Sequence, residues 1–496
     1  MSKVVTPEWV KHAVFYQIFP DRFAKSPTLP KPDNLEPWDA DPSPLGYKGG
    51  DLAGVTERLD YLQDLGITAI YFNPIFQSAA NHRYHTHDYY QIDPLLGGDG
   101  AFREMLAACK ARGIRVVLDG VFNHASRGFF QFNDILENGA ASAWRDWFTV
   151  TAYPPNAYDT SRPPDYAAWF GLHALPKLNT DNPQVREFLM RVGEHWVRRG
   201  IDGWRLDVPN EITSPGFWAE FRSRIKAINP DAYIVGEIWD EAQRWLRGDQ
   251  FDAVMNYRFA EAAIAFVAGP RVQPEMVAGR GYRPYPPIDA AGYADRVARL
   301  LGLYPWPVEL AQLNLLDSHD TARLLSVAGG DEASLRLGVL LLLTFPGAPC
   351  IYYGDEIGLD GGPGDALARR TFPWDRPTSW NHGLRAYYKE AIALRHAQPA
   401  LRTGAYRRLL ATGDTYAFAR DQDDTTLVVA LNVGTDAHLL QIPLDGLAAG
   451  HATPRLLFGS TADAQADEGQ LLVTLPARSG AVLDVSGQAV TRVEGT

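Results

Sequence analysis

Four short apolar runs in this chain end in side chains that can do chemistry. "DGVFNH" (119–124) ends in Asp119, Asn123 and His124, and "GWRLDVPNE" (203–211) carries Arg205 and Asp207. "GEIW" (236–239) supplies Glu237 and Trp239, and "LLDSHD" (315–320) supplies His319 and Asp320. Side chains alternate along a strand, so Gly203, Arg205 and Asp207 share one face. A guanidinium beside a carboxylate in an apolar run reads in two ways. One is a buried ion pair, which seldom improves on apolar packing. The other is a carboxylate held ionised because chemistry happens there. Paired carboxylates with neither a reactive thiol nor a phosphate loop point to glycoside chemistry, with one nucleophile and one proton donor. A metal hydrolase using His124, His319 and the aspartates competes with that reading. Against it, no two histidines stand at helix-face spacing, and the dense group "NHRYHTHDYY" (81–90) lies on a loop.

Groups this far apart in sequence need a frame to bring them together. Eight strand candidates alternate with amphipathic helical patterns over the first four hundred residues: 13–19, 67–73, 114–122, 201–208, 232–239, 253–257, 310–317 and 348–354. Several helical patterns close on a glycine at a C-cap position, as at Gly66, Gly113 and Gly200. Eight such units predict a (β/α)8 barrel, and no dinucleotide fingerprint supports a doubly wound open sheet. In a barrel the C-terminal strand ends form one rim, which is where the polar residues fall. About sixty residues rich in Pro, Trp and Asn follow strand three, long enough to form a subdomain. Beyond residue 400 a period-two pattern with Gly and Asp turns predicts a small antiparallel β domain. The expected layout is a barrel over 1–124 and 183–400, an inserted domain over 125–182, and a β-sandwich over 401–496.

Composition narrows the function classes. The 496 residues are 46% hydrophobic and 21% charged, an ordinary globular balance. A formal charge of -12 leaves no surplus of Lys and Arg to displace counterions from a nucleic acid. Two cysteines, Cys109 and Cys350, make neither a disulfide framework nor a metal cluster. The start "MSKVVTPEWVKHAVF" lacks the apolar core of a secretory signal, and the apolar stretch 337–353 is short for a membrane span and broken by prolines. The expectation is a cytoplasmic protein with no membrane partner.

The four rim motifs resemble, in order and spacing, the four signature regions of the α-amylase family of glycoside hydrolases. "YQIFPDRF" (16–23), "LPKLN" (175–179) and "FPGAPCIYYGDE" (345–356) resemble further segments of the family. "LPKLN" with "VPNE" leans toward the cyclomaltodextrinase, neopullulanase and maltogenic amylase branch. The resemblance implies Asp207 as nucleophile, Glu237 as general acid/base and Asp320 as the carboxylate that stabilises an oxocarbenium-like transition state. It implies that Arg205 orients Asp207 and keeps it ionised. His124 and His319 would bond hydroxyls of the sugar being cleaved, Tyr84 would lie under its ring, and Trp239 would touch the acceptor side. Asp365 and Arg369 resemble a pair holding the next sugar, although "ALA" between them departs from the usual pattern. Asp119 and Asn123 read as structural.

Further departures bear on assembly and metals. Relatives of that branch carry an additional N-terminal β domain that builds a dimer, whereas here the barrel pattern begins almost at once, which leaves the oligomeric state open. The loop "AKSPTLPKPDN" after Phe23 lacks the Asn and Asp pattern of a calcium site, so no cofactor is expected and a structural calcium has no support in the sequence. Asp240 follows Trp239 where relatives often have His. The implied function is retaining hydrolysis of α-1,4 bonds in cyclodextrins and short maltodextrins. The rivals are an α-glucan transglycosylase, a sucrose-acting or isomerising relative, and a non-catalytic carbohydrate-binding protein.

Overall fold

The computed structural model describes residues 4–279, 281–364, 366–444, 453–467 and 469–486. Eight parallel strands close into a barrel in which each strand pairs with its sequence neighbours and the last returns to the first. They are β1 (Phe15–Ile18), β2 (Ala69–Phe72), β3 (Arg115–Gly120), β4 (Gly203–Leu206), β5 (Tyr233–Gly236), β6 (Ala253–Asn256), β7 (Leu313–Asn314) and β8 (Ala348–Tyr352). Every one falls inside a segment read as a strand. β7 is much shorter than its apolar run, with only two residues in ladder geometry.

Alternation along these strands sorts the side chains into an outer and an inner set. Val116, Leu118, Trp204 and Leu206 point outward and join the large core under the helices. Phe15, Ala69, Tyr71, Val117, Tyr233, Val235, Met255 and Leu313 point inward and fill the lower barrel, with Trp9 packed beneath. The next inward positions are Gln17, Asn73, Asp119, Arg205 and Glu237, all buried. The barrel is thus apolar below and polar at the C-terminal rim, as the physics of this architecture requires of a packed core with a site on top. Gly203 shows how tight the lower layer is. A Cβ there would lie 2.3 Å from the Tyr233 carbonyl oxygen, so only glycine fits against the backbone of β5.

Helices close where the sequence places their caps. Leu59–Leu65 ends on Gly66 at φ 93°, a left-handed conformation that glycine adopts without steric cost, and the chain turns into β2. Between β2 and the next helix, a hairpin of Phe76–Ser78 and Thr86–Ile92 rises over the rim. After β3 the chain leaves the barrel and returns with the helix Pro183–Arg198. The excursion holds one α-helix, Phe130–Asn138, and three short 3-10 turns, and is otherwise tied by isolated bridges such as His124 to Lys177 and Phe148 to Leu178. Phe129, Phe132, Phe148 and Tyr166 bury its interior and are continuous with the barrel core.

The C-terminal part is two antiparallel sheets. Ala405–Thr412, Thr415–Gln422, Thr425–Asn432, Ser479–Asp484 and Arg455–Gly459 form one in that spatial order. Asp463–Asp467, Gln470–Leu475 and His438–Pro443 form the other, and an apolar core lies between the two. The buried Arg420 ties these sheets to the barrel through the Thr344 carbonyl, and the buried Arg395 braces the barrel side of the junction. Arg420 donates to the Leu401 and Gly404 carbonyls, and Arg395 to the Leu343 and Leu401 carbonyls, beside the carbonyl end of the helix Glu332–Thr344. Among the described residues no helix is long and apolar enough to cross a membrane.

Gly203→Ala is expected to destabilise the fold by about 1–3 kcal/mol, because the added methyl meets backbone rather than a movable side chain. Urea unfolding followed by tryptophan fluorescence reads the loss. An unchanged midpoint would mean that β4 and β5 separate more easily than their packing indicates.

Candidate active site

Arg205 stands at the centre of the rim. Its Nη1 donates to Asp119 Oδ1 and Oδ2 at 3.0 and 3.1 Å and to Asp207 Oδ1 at 3.0 Å. Its Nη2 lies 2.9 Å from Glu237 Oε1, an ion contact in which the N–H does not point at the oxygen. Nε points at Met255 Sδ, and the guanidinium is wholly buried. One cation thus faces three carboxyls. Adjacent strands explain the set: β3, β4 and β5 pair in register and bring Asp119 beside Arg205, with Asp207 and Glu237 just beyond the ends of β4 and β5.

Asp119 does more than fill space. It also accepts from the Tyr71 hydroxyl at 3.0 Å and the Tyr84 hydroxyl at 2.8 Å. Tyr84 comes from the hairpin turn, where the buried Arg83 adopts φ 60° and clamps Asp93 Oδ2 and the Asn81 carbonyl. The Tyr84 ring stacks parallel to His319 at 5.5 Å. Gln17 Nε2 donates to His319 Nδ1 at 2.8 Å and to Asn73 Oδ1 at 3.0 Å. That leaves the proton of His319 on Nε2, 3.0 Å from Asp320 Oδ2 and 2.7 Å from the Tyr84 hydroxyl. Arg369 reaches Asp320 Oδ1 at 3.2 Å and the His319 carbonyl at 2.9 Å. Asp365, its expected partner, lies outside the described residues.

Glu237 is held from two further directions. The Val208 N–H donates to Oε2 at 3.1 Å, and Trp239 Nε1 donates to Oε1 at 3.2 Å. Val208 has φ 35° and ψ 50°, a left-handed conformation that costs a β-branched residue on the order of 1–3 kcal/mol. The turn Pro209–Glu211, anchored by Trp218 Nε1 on the Pro209 carbonyl, holds it there. The Trp239 indole stacks on Tyr257 at 3.8 Å, which fixes the plane of the donor.

These surroundings push the carboxyls apart in acidity. Burial, together with the neighbouring Glu237, raises Asp207 well above the usual carboxylate range, and Arg205 only partly opposes them. Arg205 acts in the direction expected of it, favouring the ionised form, while burial, the largest cause, and the other carboxyls act against it. Burial also raises Glu237, aided by Asp320 and opposed by Arg205 and the Val208 N–H. Burial would raise Asp320 too, but His319, Arg369 and Arg205 hold it below the usual range. Asp207 and Glu237 therefore titrate as a pair. When Glu237 carries the proton its repulsion of Asp207 vanishes while the Arg205 contact remains. Under those conditions Asp207 is the one that ionises.

Above this floor lies a cleft of about 490 Å3 lined by Asp207, Glu237, Asp320, Tyr84, His124, Trp239 and Arg369, with His319 packed behind Tyr84. Burial holds the His124 ring neutral, down to about 3, and its Nε2 has no protein partner. Residues the sequence reading missed complete the wall: His82 and His85 from the hairpin, Trp169, Phe170 and Leu172 from the insertion, and Gly279 and Gly281 opposite. Trp169 stacks on His124 at 5.4 Å. The run "AAWFG" in an otherwise Pro-rich segment was the available signal for it.

Among the described residues no group of three or more His, Cys, Asp or Glu side chains is placed to hold a metal ion. His124 and His319 face different neighbours and do not converge as ligands. In the loop after Phe23 the cations are lysines: Lys31 Nζ lies 2.7 Å from Asp51 Oδ2, and the buried Lys48 donates to the Pro37 and Ala40 carbonyls.

Residues 17–389 match the α-amylase catalytic domain, and residues 406–482 match a neopullulanase-like C-terminal domain. A cyclomaltodextrinase from a Bacillus species is 45% identical over 90% of this chain and 76% of its own length. Neopullulanase 2 of Thermoactinomyces vulgaris is 43% identical over 96% of this chain and 78% of its own. The native debranching enzyme of Nostoc punctiforme superposes with a TM-score of 0.90 at 55% identity, covering 97% of this chain and 99% of that one.

Asp320→Asn removes a negative charge that raises both Asp207 and Glu237. Both should then lose their protons at lower pH. Carbon-13 NMR of labelled carboxyls would follow the two titrations; an upward or absent shift would contradict the assigned electrostatics.

Proposed function

Because the chain belongs to the α-amylase family of glycoside hydrolases, we propose that it hydrolyses α-1,4 bonds of cyclodextrins and short maltodextrins with retention of anomeric configuration. The observation that carries this reading is the Arg205 cluster at the barrel rim, which sets Asp207 and Glu237 against one guanidinium and opens them with Asp320 onto a single cleft. Asp207 attacks the anomeric carbon and Glu237 gives its proton to the departing oxygen. Water then attacks the anomeric carbon from the face the leaving group vacated, Glu237 takes its proton, and the bond to Asp207 breaks to free the carboxylate. Asp320, held ionised by Arg369 and His319, faces the positive charge that develops on the ring. His124 Nε2 and the Tyr84 ring, both on the cleft wall, hold the sugar whose bond breaks. The chemistry draws on side chains alone and calls for no cofactor.

The narrow wall formed by Trp169, Phe170 and Leu172 favours small or cyclic glucans over polymeric starch. A second reading, cleavage of α-1,6 branch bonds, is favoured by the debranching enzyme that this chain matches nearly end to end. A side-by-side product profile on β-cyclodextrin, maltotriose, soluble starch, pullulan and sucrose decides between them. Cyclodextrin and maltotriose should be consumed faster per mass than starch. Faster starch cleavage would overturn the size preference, and release of maltotriose from pullulan would establish the α-1,6 activity.

Leaving-group chemistry separates the two carboxyls. Glu237→Gln should lose activity on maltodextrins by about a thousandfold, yet still form the glycosyl-enzyme from α-maltosyl fluoride, whose leaving group needs no proton. Asp207→Asn should stay inactive on both. Single-turnover kinetics on the two substrates test this, and fluoride rescue of Asp207→Asn alone would reverse the roles.

A further inference from the structure

The loops after β7 and β8 carry a second buried cluster of charge, which the catalytic steps do not use. Asp317, Arg323 and Asp355 are its members, and all three are buried. Asp317 and Arg323 flank His319 and Asp320, and Asp355 follows β8 on the way to Arg369. We propose that these three side chains are positioning residues for the reaction, in which one proton held between Asp317 and Asp355 keeps Asp320 and Arg369 at their stations over the cleft. The proposal rests on the hydrolase reading above and extends it to residues that do not line the cleft.

Direct contacts join the two loops into one piece. Arg323 donates from Nη1 to Asp355 Oδ1 at 2.6 Å, and the Leu324 N–H donates to Asp317 Oδ2 at 2.6 Å. Between Asp317 and Arg323 the turn that carries Asp320 closes on itself. There the Asp320 N–H donates to Ser318 Oγ at 3.2 Å and the Ser318 N–H to Thr321 Oγ1 at 2.9 Å. The Arg323 N–H meets the Gly361 carbonyl at 3.1 Å, and the Gly361 N–H donates to Ser326 Oγ at 2.9 Å. The Arg323 guanidinium lies 4.2 Å from the centre of the Tyr352 ring and 5.0 Å from that of Tyr353. Those two hydroxyls donate to the Ala368 and Arg370 carbonyls, on either side of Arg369. Arg323 is thus tied to both partners of the Arg369–Asp320 ion pair.

The cluster does not balance without a proton. Asp317 Oδ1 is buried and meets no donor among the described residues, and the Asp355 carboxyl lies within hydrogen-bonding reach of Asp317. Ionised carboxylates only accept, so contact between two of them needs a proton on one. Burial and Asp317 push Asp355 well above the usual carboxylate range, with Arg323 opposing. The other titratable groups facing the cluster supply no balancing charge. Cys350, Tyr352 and Tyr353 approach from β8 and its end, and Tyr388 from the helix His382–Ala397; burial raises all four and keeps them neutral. Glu356, the next residue, turns away to accept from the Tyr16 and Tyr61 hydroxyls. Loss of the proton at high pH sets two anions against one guanidinium and drives the two loops apart.

Formation of the glycosyl-enzyme from α-maltosyl fluoride isolates this proton, because that step needs none from Glu237. Asp317→Asn puts a non-ionising amide N–H where the shared proton lies, and its oxygen can still accept from Leu324. Asp317→Ala removes both bonds. In single turnovers at about pH 6, Asp317→Asn should match the unmodified enzyme within about twofold and Asp317→Ala should be about tenfold slower, the worth of one buried hydrogen bond. Between about pH 6 and about pH 9 the ratio of the unmodified rate to the Asp317→Asn rate should fall by about threefold or more, as the shared proton leaves one protein and not the other. Taking the ratio cancels the titrations of Asp207 and Glu237, which both proteins share. Circular dichroism checks folding, and if Asp317→Ala does not fold the pH dependence of the ratio decides alone. A ratio that does not change with pH, or an Asp317→Asn variant as slow as Asp317→Ala, would overturn the positioning role and leave the hydrolase reading intact. An unmodified enzyme that neither forms a glycosyl-enzyme nor cleaves a glucan would overturn that reading, and the positioning role with it.

Discussion

The rim of this barrel is organised by the contest between one guanidinium and the carboxyls around it. Arg205 is fully buried and contacts Asp119, Asp207 and Glu237. Burying that many charges is costly, and a single cation cannot compensate three anions. Burial and repulsion among the carboxyls accordingly raise both Asp207 and Glu237, so the pair holds on to protons more readily than free carboxyls do. Asp119 is held in place by the Tyr71 and Tyr84 hydroxyls, which donate to it as well. If the cluster were neutralised fully, by a second arginine for instance, both reacting carboxyls would ionise and the proton donor would be lost. Incomplete compensation is therefore the property on which the proposed chemistry depends.

Such a cluster needs a rigid frame, and the frame is visible at each position. Apolar rings fill the barrel below it, so Arg205 cannot sink toward the other end. Gln17 and Asn73 hold His319, whose Nε2 proton can then face Asp320 and Tyr84 in only one way. The strained Val208 aims its N–H at Glu237. Strain of this kind persists only where the surroundings over-determine it. Here the ladder of β4 below and the Trp218-anchored turn above leave Val208 no other conformation.

The barrel and its eight strands were legible in the sequence because a parallel strand buried on both faces reads as a continuous apolar run. Where such a run ends, a polar residue at the next inward position stands on the rim. Asp119, Arg205 and Glu237 were found by that rule, and Asp320 by its place just past the apolar run 310–317. Gln17, Asn73 and Tyr71 escaped it because amides and tyrosines are common at strand ends and nothing in their spacing marks them. Arg83 escaped because its importance lies in a left-handed turn that no residue type announces. The insertion was legible as long and irregular but not as a wall. Its shape comes from side-chain bonds such as those of Asn156 and from isolated bridges, neither of which has a period. The acidity of Asp207 is a sum over burial and four charged neighbours, and only the Arg205 contribution could be read from sequence.

This division between a floor fixed by charge and walls fixed by loops constrains how substrate preference can change. A substitution among the floor carboxyls alters how readily the others hold protons and with it the reaction. Trp169 and Phe170 touch neither Arg205 nor its partners, and they hang on an excursion with one α-helix of its own. The hairpin that carries His82 and His85 is the exception, because Tyr84 on the same turn donates to Asp119. Changes in that hairpin reach the floor carboxyls through one hydroxyl, whereas changes in the insertion reach the site through the stack of Trp169 on His124. Chain length and linkage can therefore be retuned on the insertion side at little cost to the chemistry, and on the hairpin side only at the risk of moving Tyr84 off Asp119.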